Sequence, residues 1–161
     1  MATLDDGDVI RALGTVALRS AYVEEAIDDC LEQFIGRGKA EERLRKQSAR
    51  DKAKVLRRLI NGTPFDEELA YLPALLHAVI ETLEERNTVI HGRMYADPSG
   101  GIVRRSARHG VPDTPASSAE LYGLADRLDE MLPHLLHASK FRLRRHLDRS
   151  AGEHRVTLPP P

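Results

Sequence analysis

The chain has 161 residues, a length that suits one domain with a sizeable core and is short for two. Aromatic residues make up only 4% of it, and there is no Trp. The core must therefore consist mainly of Leu, Ile, Val and Ala, which favours helix-on-helix packing. The net charge of −1 argues against a strongly basic nucleic-acid binder but is compatible with a local basic patch.

Cysteine usage and hydropathy predict a cytoplasmic protein. Cys30 is the only cysteine, so no intramolecular disulfide can form. The acidic start lacks the basic-then-apolar pattern of a signal peptide. The longest stretch without Asp, Glu, Lys or Arg, residues 69–80, is shorter than the roughly 20 residues that a membrane-spanning helix needs. We therefore expect no membrane association.

The first predicted helix runs from about Asp6 to Ile35. Acidic residues suit its N-terminus, and Gly36 and Gly38 end it. Alternating steps of four and three residues define one buried face, on which Cys30 is expected to be a core residue. That face comprises Val9, Leu13, Val16, Ser20, Val23, Ile27, Cys30 and Phe34.

Two further helices are predicted before a glycine stop at Gly92. The second begins near Lys39 or near Ser48 and ends at about Ile60, where Asn-Gly follows. The third runs over about residues 66–90, with Pro73 either kinking it or lying in the first turn of its main part.

The segment after Gly92 has a different pattern. Residues 93–96 and 102–106 flank a dense cluster of turn formers, Asp-Pro-Ser-Gly-Gly, which predicts a short β-hairpin. Residues 107–116, with two prolines, are expected to form a loop.

The last predicted helix begins near Ser117 or Ser118, both suitable N-caps, and extends to about Leu147. Residues 150–161, ending in three prolines, are expected to be a disordered tail. The predicted fold is all-α: an antiparallel bundle of about four long helices, with a small β-hairpin before the last one, in a single domain over residues 1–149.

Charge is unevenly distributed along the chain. Residues 1–35 carry eight acidic and two basic side chains, whereas residues 39–60 carry nine basic and three acidic ones. One interpretation is that neighbouring helices complement each other and expose the remaining charges. The other is that some of the basic residues contact phosphates, with Arg57 and Arg58 as candidates for substrate binding.

The apolar rhythm of the third helix breaks at Arg86-Asn87, and His91-Gly92 follows. Burying a guanidinium or an amide is costly unless it is paired, so the break needs a partner or a function. Asn87 and His91 share a helix face, whereas Arg86 lies about 140° from His91. One helix therefore cannot easily direct both side chains at one atom, but a twofold partner could supply a second set.

The hexapeptide Arg86-Asn87-Thr88-Val89-Ile90-His91 resembles the Arg–polar–three residues–His motif of the HEPN superfamily. The long preceding helices and the closing amphipathic helix are also similar to HEPN-like bacterial proteins, over roughly residues 6–147. The resemblance implies a metal-independent endoribonuclease of toxin, defence or stress type. It would act as a homodimer through attack of the RNA 2′-hydroxyl on the adjacent phosphate, giving a 2′,3′-cyclic phosphate and a 5′-hydroxyl.

In that mechanism His91 would act as general acid or base, and Arg86 would stabilise the transition-state charge. Asn87 would orient His91 or bind a phosphate oxygen, and Arg93 is a further candidate for substrate contact. No cofactor or metal is implied. A toxin subgroup that pairs with an antitoxin has Tyr two residues after the His; here that position is Arg93, so a cognate antitoxin is less well supported.

Two alternatives remain open. The same motif can belong to a non-catalytic dimerisation or partner-binding module, in which the polar residues close a dry seam. A metal site would instead use pairs that share a helix face, such as His77 with Glu81 or Glu130 with His134, although the chain has no Glu-x-x-His step.

Overall fold

A computed structural model describes residues 6–36, 38–63, 67–96, 98, 102–105, 110 and 112–148. The described chain is an all-α bundle with a small antiparallel sheet before the last helix, as the sequence predicts. The predicted tail lies outside these residues. Among the described helices, none combines the length and hydropathy needed to span a bilayer. The elements are α1 (Asp6–Ile35), α2 (Lys39–Leu44), α3 (Ala49–Asn61), α4 (Leu72–Ile90), β1 (Arg93–Ala96), β2 (Ile102–Arg105), β3 (Thr114–Pro115) and α5 (Ser118–His137).

Helix α1 is the central element and has the predicted bounds. Most of its stripe is buried, including the polar Ser20, which is only 2% exposed, whereas Leu13 and Phe34 are partly buried. Gly36 ends the helix with a φ of 99°, a conformation that glycine adopts without strain. Cys30 is a core residue as predicted: its thiol donates to the Leu135 carbonyl at 3.6 Å, and burial raises its pKa to about 12.

The region of the second predicted helix contains two helices. Both alternative starts are used, because α2 begins at Lys39 and α3 begins after Ser48. The Ser48 side chain accepts from the backbone N–H of Asp51 at 3.2 Å and so caps α3. A short 3-10 turn over Glu67–Leu69 precedes α4, and Pro73 lies in the first turn of α4 rather than at a kink.

The hairpin is confirmed, and it gains a strand that was not predicted. Arg93 lies opposite Arg105 and Ala96 opposite Ile102. Thr114–Pro115, expected to belong to a loop, pairs with β2 as an edge strand, a position that tolerates proline.

The last helix starts as predicted but is not regular to its end. Ser117 and Glu120 form a reciprocal capping box at its start. Pro133 lies inside α5 and removes one backbone donor. A π-helical segment over Ala138–Arg142 then leads into helical residues 143–148.

The acidic helix α1 and the basic helix α3 complement each other in charge, which is one of the two interpretations of the sequence. Lys52 of α3 is 8% exposed. Its ammonium donates to Glu24 at 2.9 Å and to Asp28 at 2.8 Å on α1. Burial alone would lower the pKa of Lys52, but the two carboxylates outweigh it and raise that pKa. The bridge therefore attaches basic α3 to acidic α1.

We expect Lys52→Gln to lower the free energy of unfolding by about 1–2 kcal/mol, since it leaves two neighbouring carboxylates without their shared cation. Their partial exposure reduces the cost below that of a fully buried pair. Urea denaturation measures the change. Lys54→Gln is the matched control, because among the described residues Lys54 pairs with Asp51 on its own helix. Equal effects of the two variants would contradict the role assigned to Lys52.

Candidate functional site

Arg86, which interrupts the apolar stripe of α4, contacts Ser20, which interrupts the apolar stripe of α1. Arg86 is half-buried, and its Nε donates to the Oγ of buried Ser20 at 3.1 Å. Its Nη1 donates to Asn87 Oδ1 at 3.0 Å. Each polar residue on an otherwise apolar stripe thus satisfies the other, as burial requires.

The end of α4 is fixed to three other helices through three consecutive side chains. Glu84 forms an ion pair with Arg50 of α3 at 3.0 Å, and Glu85 accepts from Arg127 of α5 at 2.6 Å. Arg86 reaches α1 through its bond to Ser20. Because successive side chains are about 100° apart, these contacts hold the helix end from three sides.

His91 is the C-cap residue of α4, and its side chain is exposed. Its backbone N–H donates to the Asn87 carbonyl at 3.1 Å. Asn87 therefore contacts both motif residues, Arg86 through its side chain and His91 through its backbone. Within one chain, Arg86 faces inward to α1 and His91 faces solvent. The structure brings Arg86 and Asn87 together but directs the histidine ring elsewhere.

Gly92 is required by close approach and not by an unusual φ. A Cβ at this position would lie 2.8 Å from Cγ of Arg104 and 2.9 Å from the Thr88 carbonyl oxygen. The stem of Arg104 thus crosses the chain directly after His91. This packing fixes the hairpin against the end of α4.

The sheet brings further arginines to His91. Arg93 is exposed and lies opposite Arg105, an unfavourable like-charge pair in the absence of an anion. Arg105 is engaged by Asp113, with Nε 3.2 Å from Oδ1, and that hydrogen bond lowers the pKa of the Asp113 carboxyl. In the described part of the chain, neither Arg93 nor Arg104 forms an ion pair.

Sequence reasoning did not select Arg104. Met94, Ile102 and Arg104 share the sheet face that packs on the helices, since side chains alternate along strands and Met94 and Ile102 pack against the core. The signal available in the sequence was that Arg104, two residues after Ile102, would lie on the same face of the strand as that apolar residue.

Arg57 and Arg58 of α3 lie away from the motif. Nη1 of Arg57 is 3.5 Å from Nδ1 of His77, which is fourteen residues before His91 on α4. At 1.5 Å per residue, that places the two histidines about 21 Å apart along the helix. Arg58 is exposed and donates to the Lys54 carbonyl at 3.5 Å. Neither can share a phosphate with His91 of the same chain.

Metal-binding geometry is not found among the described residues, which contain no cluster of three or more His, Cys, Asp or Glu side chains able to hold an ion. His77 and Glu81 do meet, at 3.5 Å, but both are exposed. Compared with models of protein families, with curated proteins and with solved structures, the chain matches none of them.

We expect Gly92→Ala to lower the free energy of unfolding by about 1–3 kcal/mol, because the added methyl group overlaps the Arg104 stem and a backbone oxygen. Gly123→Ala in α5 is the control: its Cβ would meet nothing within 4 Å, and alanine is the better helix former by about 0.5–1 kcal/mol. The midpoint temperature of thermal unfolding should therefore fall in Gly92→Ala and rise in Gly123→Ala. A neutral Gly92→Ala would contradict the close packing.

Proposed function

We propose that the protein is a metal-independent endoribonuclease of the HEPN-like type, acting on cytoplasmic RNA in defence or stress. The observation that carries the proposal is the exposed His91 at a fixed helix end, with Arg93 two residues further along the chain and the stem of Arg104 against Gly92. Neither arginine has an acidic partner among the described residues. An imidazole with cations nearby suits phosphodiester cleavage by an internal hydroxyl.

In the proposed reaction, the 2′-oxygen of RNA forms a bond to the adjacent phosphorus, and the bond from phosphorus to the 5′-oxygen breaks. His91 takes the proton of the 2′-hydroxyl while water protonates the departing 5′-oxygen, or it delivers a proton to the 5′-oxygen while water takes the one from the 2′-hydroxyl. Arg86 uses two of its nitrogens on Ser20 and Asn87, which leaves further N–H donors of its guanidinium for the phosphate.

Because Arg86 and His91 point about 140° apart on α4, the composite form of the proposal needs a second copy. A twofold partner docked at the C-terminal end of α4 would bring its Arg86 towards the His91 of the first chain. A nuclease of this kind must be restrained in the cell that makes it, so a partner protein that covers His91, such as an antitoxin, belongs to the same proposal.

The second candidate function is a non-catalytic dimerisation or partner-binding module. The outer face of α1 favours it, because Ile10, Leu18 and Tyr22 are 69%, 51% and 41% exposed there. The occupant that fits this face is a second copy of the chain. Arg11 and Glu25 lie seven residues on either side of Leu18. An antiparallel twofold pairing centred on Leu18 would therefore place each against its opposite charge.

The two functions need different interfaces. Ser20 is two residues beyond Leu18 and so about 160° away around α1. Pairing through the outer face of α1 would hold the two copies of Arg86 apart, whereas the composite nuclease needs pairing at the end of α4. The interface that exists in solution therefore discriminates between them.

The nuclease predicts cleavage of a mixed RNA pool in the presence of EDTA, with cyclic-phosphate product ends. His91→Ala and Arg86→Ala should each reduce the cleavage rate at least about a hundredfold, the usual minimum for loss of a general acid–base group or a charge-stabilising donor. End-group analysis of the products measures the outcome. Since Arg86 also holds α1, Arg86→Lys and an unfolding curve separate lost chemistry from lost structure.

His77→Ala serves as the matched control, because His77 is an exposed histidine at the other end of the same helix. Its cleavage rate should equal that of the unsubstituted protein. Absence of cleavage, or cleavage that survives both motif substitutions, would shift the assignment to the interaction module.

The module predicts that Leu18→Asp turns a dimer into a monomer, since it places two carboxylates at the twofold centre. Sedimentation analysis at micromolar concentration measures this. Ala74→Asp, on a different helix, is the control for a surface charge. A dimer that persists in Leu18→Asp would exclude the outer face of α1 as the interface.

A further inference from the structure

A groove of about 390 Å³ lies directly beside the motif, between α4, α5 and the sheet. This volume is in the range of small-molecule and nucleotide sites. Its apolar floor includes buried Val89, Leu121 and Leu124. Its charged lining residues are Glu85, Arg104, Glu120 and Arg127.

Three of these four charges already have partners. Arg127 and Glu85 form an ion pair at 2.6 Å, which joins α5 to α4. Glu120 accepts from the backbone N–H of Ser117 at 3.3 Å in the capping box of α5. Of the charged side chains that line the groove, Arg104 alone has neither an ion pair nor a side-chain hydrogen bond in the described structure.

Arg104 is half-buried on the sheet face that packs on the helices. A half-buried guanidinium with no acid partner is costly unless an anion from outside completes it. Its stem crosses Gly92, so the guanidinium is carried past the residue that directly follows His91. An anion held by Arg104 would therefore lie beside the motif.

Gly123 leaves room for such a ligand. It lines the groove from α5, and a Cβ there would meet nothing within 4 Å. A glycine in the interior of a helix is unfavourable relative to alanine, and here no neighbouring atom requires it. The position therefore keeps the groove open.

We propose that this groove binds a phosphodiester of a single-stranded RNA, with Arg104 as the phosphate contact next to the bond that His91 cleaves. The inference rests on the proposed function and adds the path of the strand to it. Arginine suits this contact because its planar fork of donors matches two phosphate oxygens. The adjacent apolar floor would take the base or sugar.

The test uses a fluorescent 2′-O-methyl oligoribonucleotide, in which the attacking hydroxyl is blocked and cleavage cannot occur. Fluorescence anisotropy gives its Kd for the full chain at fixed salt, as phosphate contacts depend on ionic strength. Arg104→Gln should weaken binding about tenfold, the loss expected for one charge-assisted contact. Arg105→Gln is the matched control, being the next residue on the opposite sheet face and already engaged by Asp113.

Gly123→Met tests the groove without changing charge. It should weaken binding about as much as Arg104→Gln, about tenfold, and Gly123→Ala should weaken it less, because its methyl group occupies less of the groove. Equal Kd values for Arg104→Gln and Arg105→Gln, or an unchanged Kd for Gly123→Met, would contradict RNA binding in the groove. If micromolar uridine monophosphate displaced the probe, the ligand of the groove would be a free nucleotide and not an RNA strand.

Binding and cleavage fail separately. If probe binding depends on Arg104 but the protein cleaves no RNA, the groove is a binding site and the nuclease proposal is wrong. If cleavage depends on His91 but Arg104→Gln does not change probe binding, the nuclease proposal holds and the groove proposal is wrong.

Discussion

The contact between Arg86 and Ser20 is the interaction on which the arrangement of the motif depends. Each residue interrupts an apolar stripe on its own helix, and the half-buried guanidinium of Arg86 would be unfavourable there without a partner. Their hydrogen bond at 3.1 Å therefore fixes how α4 is rotated against α1. Once that rotation is set, Glu84 and Glu85 point at α3 and α5, and His91 must point at solvent. The buried polar pair thus orients the exposed residue.

This constraint also determines what surrounds the histidine. The end of α4 is closed by Gly92, whose lack of a side chain admits the stem of Arg104 from β2. A hairpin that follows a helix directly has little freedom in where it lies, and here its helix-facing side includes an arginine. The groove beside the motif is thus a consequence of the same packing that terminates the helix. Its ion pair between Arg127 and Glu85 is at once a bundle contact and a wall of the groove.

Periodicity alone predicted the parts of the fold that local chemistry determines. The bounds of α1 follow from the regular spacing of its buried stripe and from Gly36 and Gly38 directly after it, and the start of α5 follows from Ser117. The β3 strand and the π-helical segment over Ala138–Arg142 were not predicted, because they depend on pairing and packing partners distant in sequence. The position of Arg104 could not be predicted either. It depends on the hairpin register, and a shift of one residue would reverse its face.

The motif residues and the wide angle between Arg86 and His91 around α4 followed from the sequence, but which of the two side chains faces α1 did not. A structural role and a functional role for Arg86 are compatible, because a guanidinium has five N–H donors and the bonds to Ser20 and Asn87 use only two nitrogens. Those bonds also immobilise the side chain, which reduces the entropy lost when the remaining donors bind an anion. An arginine that is held by its own chain and still has donors to offer is better prepared for a phosphate than a free one. The buried pairing that favours a structural interpretation is therefore also what a preorganised site requires.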